Sequence, residues 1–253
     1  MKLEDKVAVI TGATSGFGTA IAHLFAREGA KLVLHGRRPA AGESLLLELH
    51  ERGVEACFLA GDVTVEEDAN ALADLARARF GRIDALILNA GIATPGVGPF
   101  WEVPPSEFDL IFATNVRGVW LCARACTPLI PPGGAIVVMA SMSSFVVYPG
   151  ESVYSASKGA VLQLARGMAG DLAGRNVRVN AVCPGICDTP LTRFFIDSSP
   201  DPSATQAEYE AGALLGRMGS AEEIARATLF YACDDSSYCT GSSLVADGGL
   251  TVR

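Results

Sequence analysis

A tyrosine and a lysine stand four residues apart in this chain, at Tyr154 and Lys158. Residues i and i+4 of an α-helix lie on one face, so this spacing would place the phenol beside the ammonium. A free tyrosine has a pKa of about 10, and a neighbouring cation favours the phenolate and lowers that pKa. The pair therefore predicts a group that gives and takes a proton near neutral pH. Isolated pairs of this kind also arise by chance, so the surrounding elements have to support the assignment.

The elements around this pair predict an α/β fold. Seven short apolar runs alternate with longer amphipathic stretches. Near-continuous apolar strands separated by helices are typical of a parallel sheet covered on both faces, because parallel neighbours need long crossover connections. We therefore predict a single domain over residues 1–253, with a doubly wound, seven-stranded parallel sheet. The predicted strands are Val7 to Thr11, Leu32 to Leu34, Val54 to Leu59, Ala85 to Leu88, Ala135 to Met139, Val177 to Val182 and Ser243 to Ala246.

One long segment, from Asp188 to Gly219, shows only weak periodicity. It contains three prolines and the apolar run from Phe194 to Ile196, which the pattern leaves exposed. Structureless segments of this length are uncommon in compact domains, and those that occur are usually functional. We therefore predict a substrate-binding lid over residues 188–219.

The first predicted strand ends in a turn with three glycines, Gly12, Gly16 and Gly18, and a helix is predicted from Thr19 to Glu28. Ligands of open α/β sheets bind beyond the carboxyl ends of the strands, where this turn lies. Glycine lets the backbone turn tightly and approach a pyrophosphate, whose charge the amides and dipole at a helix start stabilise. The spacing differs from the usual Gly-x-Gly-x-x-Gly fingerprint, but a strand before it and a helix after it favour a nucleotide site.

Two arginines, Arg37 and Arg38, follow the second strand. Many NAD-binding folds place an acid there, which binds the hydroxyls of the adenosine ribose. Arginine instead makes charge-assisted, often bidentate contacts with phosphate oxygens, which suits a 2′-phosphate. We therefore favour NADP(H) as the coenzyme, with NAD(H) as the alternative. The competing interpretation is a solvated basic turn before the second helix.

The composition argues against several classes of protein. The net charge is −8, and no run of Lys or Arg could follow a phosphate backbone, so we expect no nucleic-acid partner. No apolar stretch has the length of a signal peptide or a membrane span, so we expect a cytoplasmic protein without membrane association. The seven cysteines resemble neither a disulfide framework nor a metal-binding pattern, so we expect buried thiols and no metal.

Four motifs occur in a fixed order along the chain. They are the Thr-Gly-x-x-x-Gly-x-Gly turn from Thr11, the run Asn89 to Gly91, the pair Tyr154 and Lys158, and the turn Pro184-Gly185. Together, and from end to end, they resemble the short-chain dehydrogenase/reductase family, which implies a Rossmann-like fold. Each motif alone is weak, whereas the set in this order is specific.

The resemblance implies roles for four catalytic residues. Ser141 would hold the substrate oxygen while Tyr154 transfers the proton, so that both share that oxygen. Lys158 would lower the pKa of Tyr154 and bind the nicotinamide ribose. Asn115 would anchor a water that links Lys158 to solvent. From its surroundings, Asn115 is predicted within a helix that Ser106 caps.

The resemblance also implies a coenzyme site and a substrate pocket. Cys187 would contact the carboxamide through its main chain, and Thr189 through its hydroxyl. Ile92 and Thr94 would join the pocket, whose side chains suggest an apolar or aromatic ketone. The implied coenzyme-binding residues are Gly12, Thr14, Ser15, Gly16, Phe17, Gly18, Arg37, Arg38, Asp62, Val63, Asn89, Ala90, Gly91, Tyr154, Lys158, Pro184, Gly185, Cys187 and Thr189. The implied substrate-binding residues are Ser141, Phe145, Tyr148, Tyr154, Phe194 and Phe195.

The function that the resemblance implies is NADP(H)-dependent interconversion of a secondary alcohol and a ketone by hydride transfer, with Tyr154 as general acid and base. An acyl-carrier-protein ketoreductase is one alternative, although this acidic chain shows no basic surface for an acidic carrier. A non-catalytic nucleotide-binding scaffold and a lyase or dehalogenase of the same fold are the others. Small-residue faces on the helices of Asn115 and Tyr154 suggest a homotetramer, with Asp247 to Leu250 near a subunit contact.

Overall fold

The computed structural model describes residues 1–93 and 98–252, and over these ranges the chain forms nine strands. Seven of them make one parallel sheet, in the order β3-β2-β1-β4-β5-β6-β9, and β7 pairs with β8 in a separate parallel ladder. The predicted α/β class and seven-stranded parallel sheet are confirmed. The strands are β1 (Val7–Thr11), β2 (Lys31–Gly36), β3 (Ala56–Ala60), β4 (Ala85–Leu88), β5 (Ala135–Met139), β6 (Arg178–Pro184), β7 (Cys187–Asp188), β8 (Gly219–Ser220) and β9 (Ser243–Ala246).

Helices cover both faces of the seven-stranded sheet. The first, second and last α-helices pack on one face, and the third, fifth and sixth pack on the other. In the described residues none of the helices is long and apolar enough to cross a bilayer. The α-helices are α1 (Gly16–Arg27), α2 (Pro39–Glu51), α3 (Glu66–Phe80), α4 (Pro105–Phe112), α5 (Gly118–Cys126), α6 (Ser152–Leu172), α7 (Pro190–Asp197), α8 (Pro202–Gly212) and α9 (Ala221–Ala232).

Strand β1 shows why the sheet needs cover on both sides. Side chains alternate between the faces of a strand, so Val7 and Val9 enter the core under α3, α5 and α6. Ala8 and Ile10 enter the opposite core, under α1, α2 and α9. All four are buried. A strand that is apolar on both faces is stable only in the middle of such a sandwich.

The order of the strands reverses beside β1, which pairs with β2 on one side and with β4 on the other. Successive crossovers run outward from this point in opposite directions, so the chain leaves a crevice at the carboxyl ends of β1 and β4. The glycine turn follows β1, and Asn89 follows β4. Ser141 comes two residues after the last residue of β5, at the same edge of the sheet.

The prediction that residues 188–219 lack regular structure is wrong. The segment contains the helices α7 and α8, whose first residues are Pro190 and Pro202. Proline is favoured in the first turn of a helix because its fixed φ suits that position, although in a sequence it reads as a break. Ile196, which was expected to be exposed, is buried.

Two predicted helix starts are also wrong. Helix α4 begins at Pro105 after the N-cap Pro104, so Ser106 lies inside the helix and caps nothing. Helix α1 begins at Gly16 rather than at Thr19, because glycines of the turn form its first residues. The earlier start brings the N-terminus of α1 directly against the crevice, where its free amides are available to an anion.

Candidate active site

The glycine turn lies closely against the chain that follows β4. Gly12 and Gly16 have φ angles of +66° and +51°, a region that side-chain-bearing residues rarely adopt. At Gly18 a Cβ atom would stand 2.1 Å from the carbonyl oxygen of Gly12, so only glycine fits there. The three glycines therefore permit a tight turn that opens towards the start of α1.

Asn89 and Thr11 hold this turn in place. The Asn89 side-chain amide donates to the carbonyl oxygens of Thr11 and Gly12, at 3.0 and 3.2 Å. The Thr11 hydroxyl accepts from the backbone N–H groups of Asn89 and Ala90, each at 3.1 Å. The end of β1 is thus tied to the end of β4. Thr11 begins the glycine motif of the sequence analysis, but the sequence did not predict that its hydroxyl would tie the two strand ends together.

A cavity of about 500 Å³ opens over the glycine turn. It extends from the two arginines after β2 to the start of α7. His35 also lies on its wall, although the sequence did not indicate it; this side chain is buried without a hydrogen-bond partner, and burial lowers its pKa. The predicted coenzyme residues that line the cavity are Gly12, Thr14, Ser15, Gly16, Phe17, Arg37, Arg38, Asp62, Val63, Asn89, Ala90, Gly91 and Thr189.

Positive charge collects at one end of this cavity. Arg37 and Arg38 are exposed, and Arg38 donates to the carbonyl oxygen of Thr14 at 2.7 Å. Neither guanidinium forms a salt bridge with any carboxylate in the described part of the chain. No acid of β2 occupies the adjoining wall. This end therefore favours a ligand with a phosphate group.

A second cavity, of about 520 Å³, adjoins the first and shares Phe17, Asn89, Gly91 and Thr189 with it. The remaining predicted coenzyme residues, apart from Gly18 beneath the turn, lie on this second wall. The predicted residues that line it in addition to the shared ones are Ser141, Tyr148, Tyr154, Lys158, Pro184, Gly185, Cys187 and Phe195. The glycine turn and the side chains of Ser141, Tyr154 and Lys158 therefore lie along one continuous slot.

Ser141 and Tyr154 are brought together by β5 and α6. Ser141 precedes a short 3₁₀ turn, Met142–Ser144, and its hydroxyl oxygen accepts from the Ser143 N–H at 3.1 Å. The same hydroxyl is hydrogen-bonded to the phenol of Tyr154. The Ser144 hydroxyl donates to the Lys158 carbonyl oxygen at 2.8 Å, which fixes the turn against α6. Serine and phenol therefore face one point in the second cavity.

The pKa of Tyr154 runs against the expectation from the sequence. Burial raises it to about 12, while the hydrogen bond with Ser141 acts in the opposite direction. The Lys158 ammonium lies 5.9 Å from the centre of the Tyr154 ring and donates instead to the Met139 carbonyl oxygen, at 2.9 Å. The predicted one-turn spacing on a helix is present, but in this structure desolvation outweighs the cation.

Lys158 itself is strongly affected by its surroundings. Its side chain is buried, and burial lowers its pKa to about 8. A Cβ atom on Gly91 would lie 3.2 Å from its nitrogen and 3.3 Å from the Asn115 oxygen, so this glycine leaves room for the ammonium. Lys158 and Gly91 therefore meet on the wall of the second cavity, and Asn115 lies beside Gly91 without lining either cavity.

Asn115 lies in a π-helical turn, Ala113–Arg117, between α4 and α5. Its side-chain oxygen accepts from the Ile92 N–H at 2.8 Å, and its amide donates to the Ile92 carbonyl oxygen at 2.9 Å. The amide also donates to the Ser157 hydroxyl at 3.1 Å. Its side chain thus clamps the wall after β4 to helix α6. π-Turns are rare in proteins, but those that occur are often at functional sites. No residue type in 113–117 predicts one.

The predicted substrate residues divide among three places. Tyr148 and Phe195 line the second cavity, as does Ile92, whereas Phe194 lines the first. Phe145 lines neither cavity and is 47% exposed, because the turn after Ser141 directs it outward. Thr94 lies outside the described residues.

Sequence reasoning missed several polar side chains of the second cavity, among them Glu151 and Tyr209. Glu151 directly precedes α6, where an acidic residue is read as an ordinary helix start. Tyr209 belongs to α8, in the segment whose helices were not predicted. Only the fold brings both side chains to the cavity that contains Tyr154.

Two candidate carboxamide contacts are already engaged within the protein. Cys187 is buried, and burial raises the pKa of its thiol to about 12, which makes a reactive thiolate unfavourable. The Thr189 hydroxyl caps α7 by accepting from the Thr192 N–H at 3.3 Å.

None of the cysteines forms a disulfide, and six of the seven are buried. The described residues contain no cluster of three or more His, Cys, Asp or Glu side chains that could hold a metal ion.

Comparisons with known proteins agree with this arrangement. A family model described as enoyl-(acyl carrier protein) reductase matches residues 12–251. The chain is 38% identical to 2-(R)-hydroxypropyl-CoM dehydrogenase of Xanthobacter autotrophicus, over 98% of this chain and 99% of the relative. It is 38% identical to cyclopentanol dehydrogenase of a Comamonas species, over 100% and 99%. It is 36% identical to 2-(S)-hydroxypropyl-CoM dehydrogenase 3 of Xanthobacter autotrophicus, over 99% and 98%.

Proposed function

Since this chain belongs to the short-chain dehydrogenase/reductase family of oxidoreductases, we propose that it interconverts a secondary alcohol and a ketone with NADP(H) as coenzyme. The observation that carries the proposal is the meeting of Ser141, Tyr154 and Lys158 on the wall of the second cavity, which adjoins the first. The nicotinamide coenzyme, when bound, supplies or accepts the hydride. The names of the relatives, which include hydroxypropyl-CoM and cyclopentanol dehydrogenases, support a secondary alcohol as substrate.

In the proposed reaction Ser141 positions the substrate oxygen. Its own oxygen accepts from the Ser143 N–H, so its proton can be donated to the substrate. Tyr154 is protonated at neutral pH because burial raises its pKa to about 12. It can therefore give its proton to the oxygen that becomes negatively charged as the ketone is reduced. For alcohol oxidation the same phenol has to lose its proton, which the Lys158 ammonium favours.

We propose that the glycine turn and the N-terminus of α1 bind the coenzyme pyrophosphate, and that Asp62 and Val63 contact its adenine. Lys158 would bind the nicotinamide ribose, beside Pro184 and Gly185. The clamp of Asn115 on Ile92 and Ser157 supports this proposal, because it keeps the coenzyme wall and α6 in one position. Thr189, the N-cap residue of α7, borders both cavities.

The preference for NADP(H) rests on Arg37 and Arg38, which lie free of carboxylate partners at one end of the first cavity. We expect kcat/KM to be higher for NADPH than for NADH, and Arg37→Ala to lower it for NADPH by about 10-fold or more, the effect of one lost charged hydrogen bond. Steady-state rates with both coenzymes measure this. Arg52→Ala, outside the first cavity, is the control. An NADH preference in the unaltered protein would contradict the coenzyme assignment.

The oxidoreductase proposal is tested by NADPH oxidation across aliphatic, aryl, steroid, sugar and acyl-thioester ketones. Tyr154→Phe should lower kcat for any accepted ketone by about 10²- to 10⁴-fold, the range of general acid catalysis, while NADPH still binds. Tyr238→Phe, a change at a fully exposed tyrosine, should leave the rate unchanged. Normal turnover by Tyr154→Phe would refute the role of Tyr154. Flat results across the whole panel would favour a non-catalytic nucleotide-binding scaffold.

An acyl-carrier-protein ketoreductase is the second candidate, because the matching family model carries an acyl-carrier-protein description. Reduction of an acyl-thioester ketone in preference to free ketones would support it. The net charge of −8 argues against docking of an acidic carrier.

We also propose that residues 188–219 act as a substrate-binding lid. Leu191 of α7 borders both cavities, and Tyr209 of α8 lines the second. Closure of such helices over a bound ketone would exclude water from the hydride-transfer step. From the composition and the family, we further propose a cytoplasmic homotetramer.

A further inference from the structure

The second cavity contains a carboxylate that no cation neutralises. Glu151 lines it three residues before Tyr154, is only partly exposed and belongs to no salt bridge within the described ranges. A half-buried carboxylate without a cationic partner is costly, because burial removes its water and nothing of opposite charge replaces it. Burial accordingly raises the pKa of Glu151 above its ordinary value.

Glu151 is placed where its side chain could cap helix α6, but it does not cap the helix. It is the N-cap residue of α6, where a side chain normally accepts from the free N–H groups of the first turn. Glu151 makes no such capping bond, and its carboxylate is hydrogen-bonded to Ser143 beside Ser141. The carboxylate is therefore directed to the cavity rather than committed to its helix.

Three tyrosines share the wall of this cavity with the carboxylate. They are Tyr148, Tyr154 and Tyr209; burial raises the pKa of each, and the negative charge of Glu151 acts in the same direction. Aromatic faces attract cations through their ring quadrupole, and a carboxylate among aromatic rings is the chemistry that recognises ammonium groups. Tyr209 and Tyr148 come from α8 and from the turn before α6, so they approach Glu151 from different elements.

The other charges of the cavity agree with a cationic ligand. Among the described residues its ionisable acids and bases other than thiols and phenols are Glu151, Glu208 and Lys158. Lys158 is directed to the Met139 carbonyl oxygen, on the side of Gly91 and Asn115. No arginine reaches the wall, since Arg193 of α7 is held by Asp188 at 2.6 and 2.7 Å and by Gln206 at 2.9 Å. An anionic substrate would meet a carboxylate and no free guanidinium.

We propose that Glu151, with Tyr148 and Tyr209, binds an ammonium group of the substrate, so that the ketone reduced at Tyr154 is an amino ketone. This inference rests on the proposed oxidoreductase function. Residues three apart at a helix start have Cβ atoms about 5–6 Å apart, so the nitrogen of the substrate lies a few bonds from the carbonyl.

Three phenyl ketones of similar size test the charge preference: 3-(methylamino)-1-phenylpropan-1-one, which is cationic; 1-phenylpentan-1-one, which is neutral; and 4-oxo-4-phenylbutanoate, which is anionic. At pH 7 we expect kcat/KM with NADPH to be about 10- to 100-fold higher for the cation than for the neutral ketone, the range of a hydrogen bond to a charged group. The anion should be the poorest substrate. Equal rates for the cationic and neutral ketones would overturn the inference.

Glu151→Gln keeps the shape of the side chain and removes its charge. We expect the ratio of cationic to neutral kcat/KM to fall to about 1 in this variant. Glu210→Gln, on α8 but outside the cavity, should keep the ratio of the unaltered protein. Tyr209→Leu, which leaves the helix start of α6 intact, should lower the ratio several-fold and serves if Glu151→Gln does not fold. An unchanged ratio in Glu151→Gln, or in Tyr209→Leu as its substitute, would refute the assignment.

Calorimetric titration of the same ketones into the protein saturated with NADP⁺ separates this inference from the reaction, because it needs no turnover. A preference for the cation that disappears with Glu151→Gln, without turnover of any ketone, would keep the ammonium site and refute the oxidoreductase proposal. Turnover of the neutral ketone without preferential binding of the cation would keep the oxidoreductase proposal and refute the ammonium site. If no ketone is turned over and the cation is not bound preferentially, both proposals are refuted.

Discussion

The ammonium of Lys158 donates to the carbonyl oxygen of Met139, while the phenol of Tyr154 is hydrogen-bonded to Ser141. The two side chains share a face of α6, as their spacing predicts, yet burial moves both pKa values away from the charged forms. The sequence could identify the pair but not its protonation states, because those depend on how much water the rest of the fold leaves around each group. The same holds for Glu151. The sequence shows a glutamate at this position, but it does not show that the side chain lines the second cavity.

The pKa of Lys158 makes a prediction about coenzyme affinity. The ammonium is present below about pH 8 and lost above it, so its attraction for the anionic coenzyme weakens as the pH rises. We expect the Kd of NADPH to be constant from pH 6.5 to 7.5 and to rise above pH 8, by about tenfold per pH unit at most. Titration of protein fluorescence or calorimetry measures it. In Lys158→Met the rise should disappear; a rise that persists would assign it to another group.

Among the secondary-structure elements, the buried strands were the most predictable. Four of the seven predicted strands, including β1 and β5, match the structure from end to end, because a strand buried on both faces is a continuous apolar run bounded by polar turns. Helices α7 and α8 and the π-turn at Asn115 were not predicted. The first two begin with proline and are amphipathic over only a few turns, and the third depends on contacts with Ile92 and Ser157 that are distant in sequence.

Strand β6 and helix α9 are joined by Arg178, which is buried. Its guanidinium donates to the Tyr231 and Cys233 carbonyl oxygens, at 2.9 and 3.0 Å, and to the Ser236 hydroxyl at 2.6 Å. These carbonyls end α9 and have no partner within the helix. The arginine therefore satisfies the C-terminus of α9 and fixes it to the central sheet.

Replacement of this residue should destabilise the protein strongly. In Arg178→Met the carbonyls at the end of α9 lose a donor, and we expect the free energy of unfolding to fall by about 2–3 kcal/mol. Urea unfolding at fixed protein concentration measures it. Arg226→Met removes only an exposed guanidinium 3.8 Å from Glu222 and should change the value by less than about 0.5 kcal/mol. Equal midpoints for the two variants would contradict the proposed role of Arg178.

At the scale of the whole molecule, the described surface exposes large apolar side chains along the continuous helical stretch of α4 and α5. Phe108, Leu110 and Trp120 are each about half exposed there, at 45%, 46% and 46%. Phe108 and Leu110 are two residues apart and face different sides of α4. Large apolar side chains that stay exposed on a folded domain can pack against other protein chains. This stretch contains Asn115, and a contact along it would support the proposed homotetramer.

The assembly can be measured directly. We expect sedimentation equilibrium to give a species of four chains, and Trp120→Glu to dissociate it, because a charge in a buried contact is unfavourable. Trp101→Glu, at a tryptophan that is 70% exposed in the 3₁₀ turn before α4, is the control and should leave the assembly intact. A monomer in the unaltered protein would refute the homotetramer.

The π-helical turn at 113–117 also matters to anyone who wishes to alter this chain by insertion or deletion. A π-turn amounts to one extra residue within an α-helix. Removal of one residue there would restore regular α-helical winding without rotating α5, so Trp120 would keep its exposed position. The damage would fall on the turn itself, because the extra residue is part of the backbone that carries the Asn115 clamp on Ile92 and Ser157.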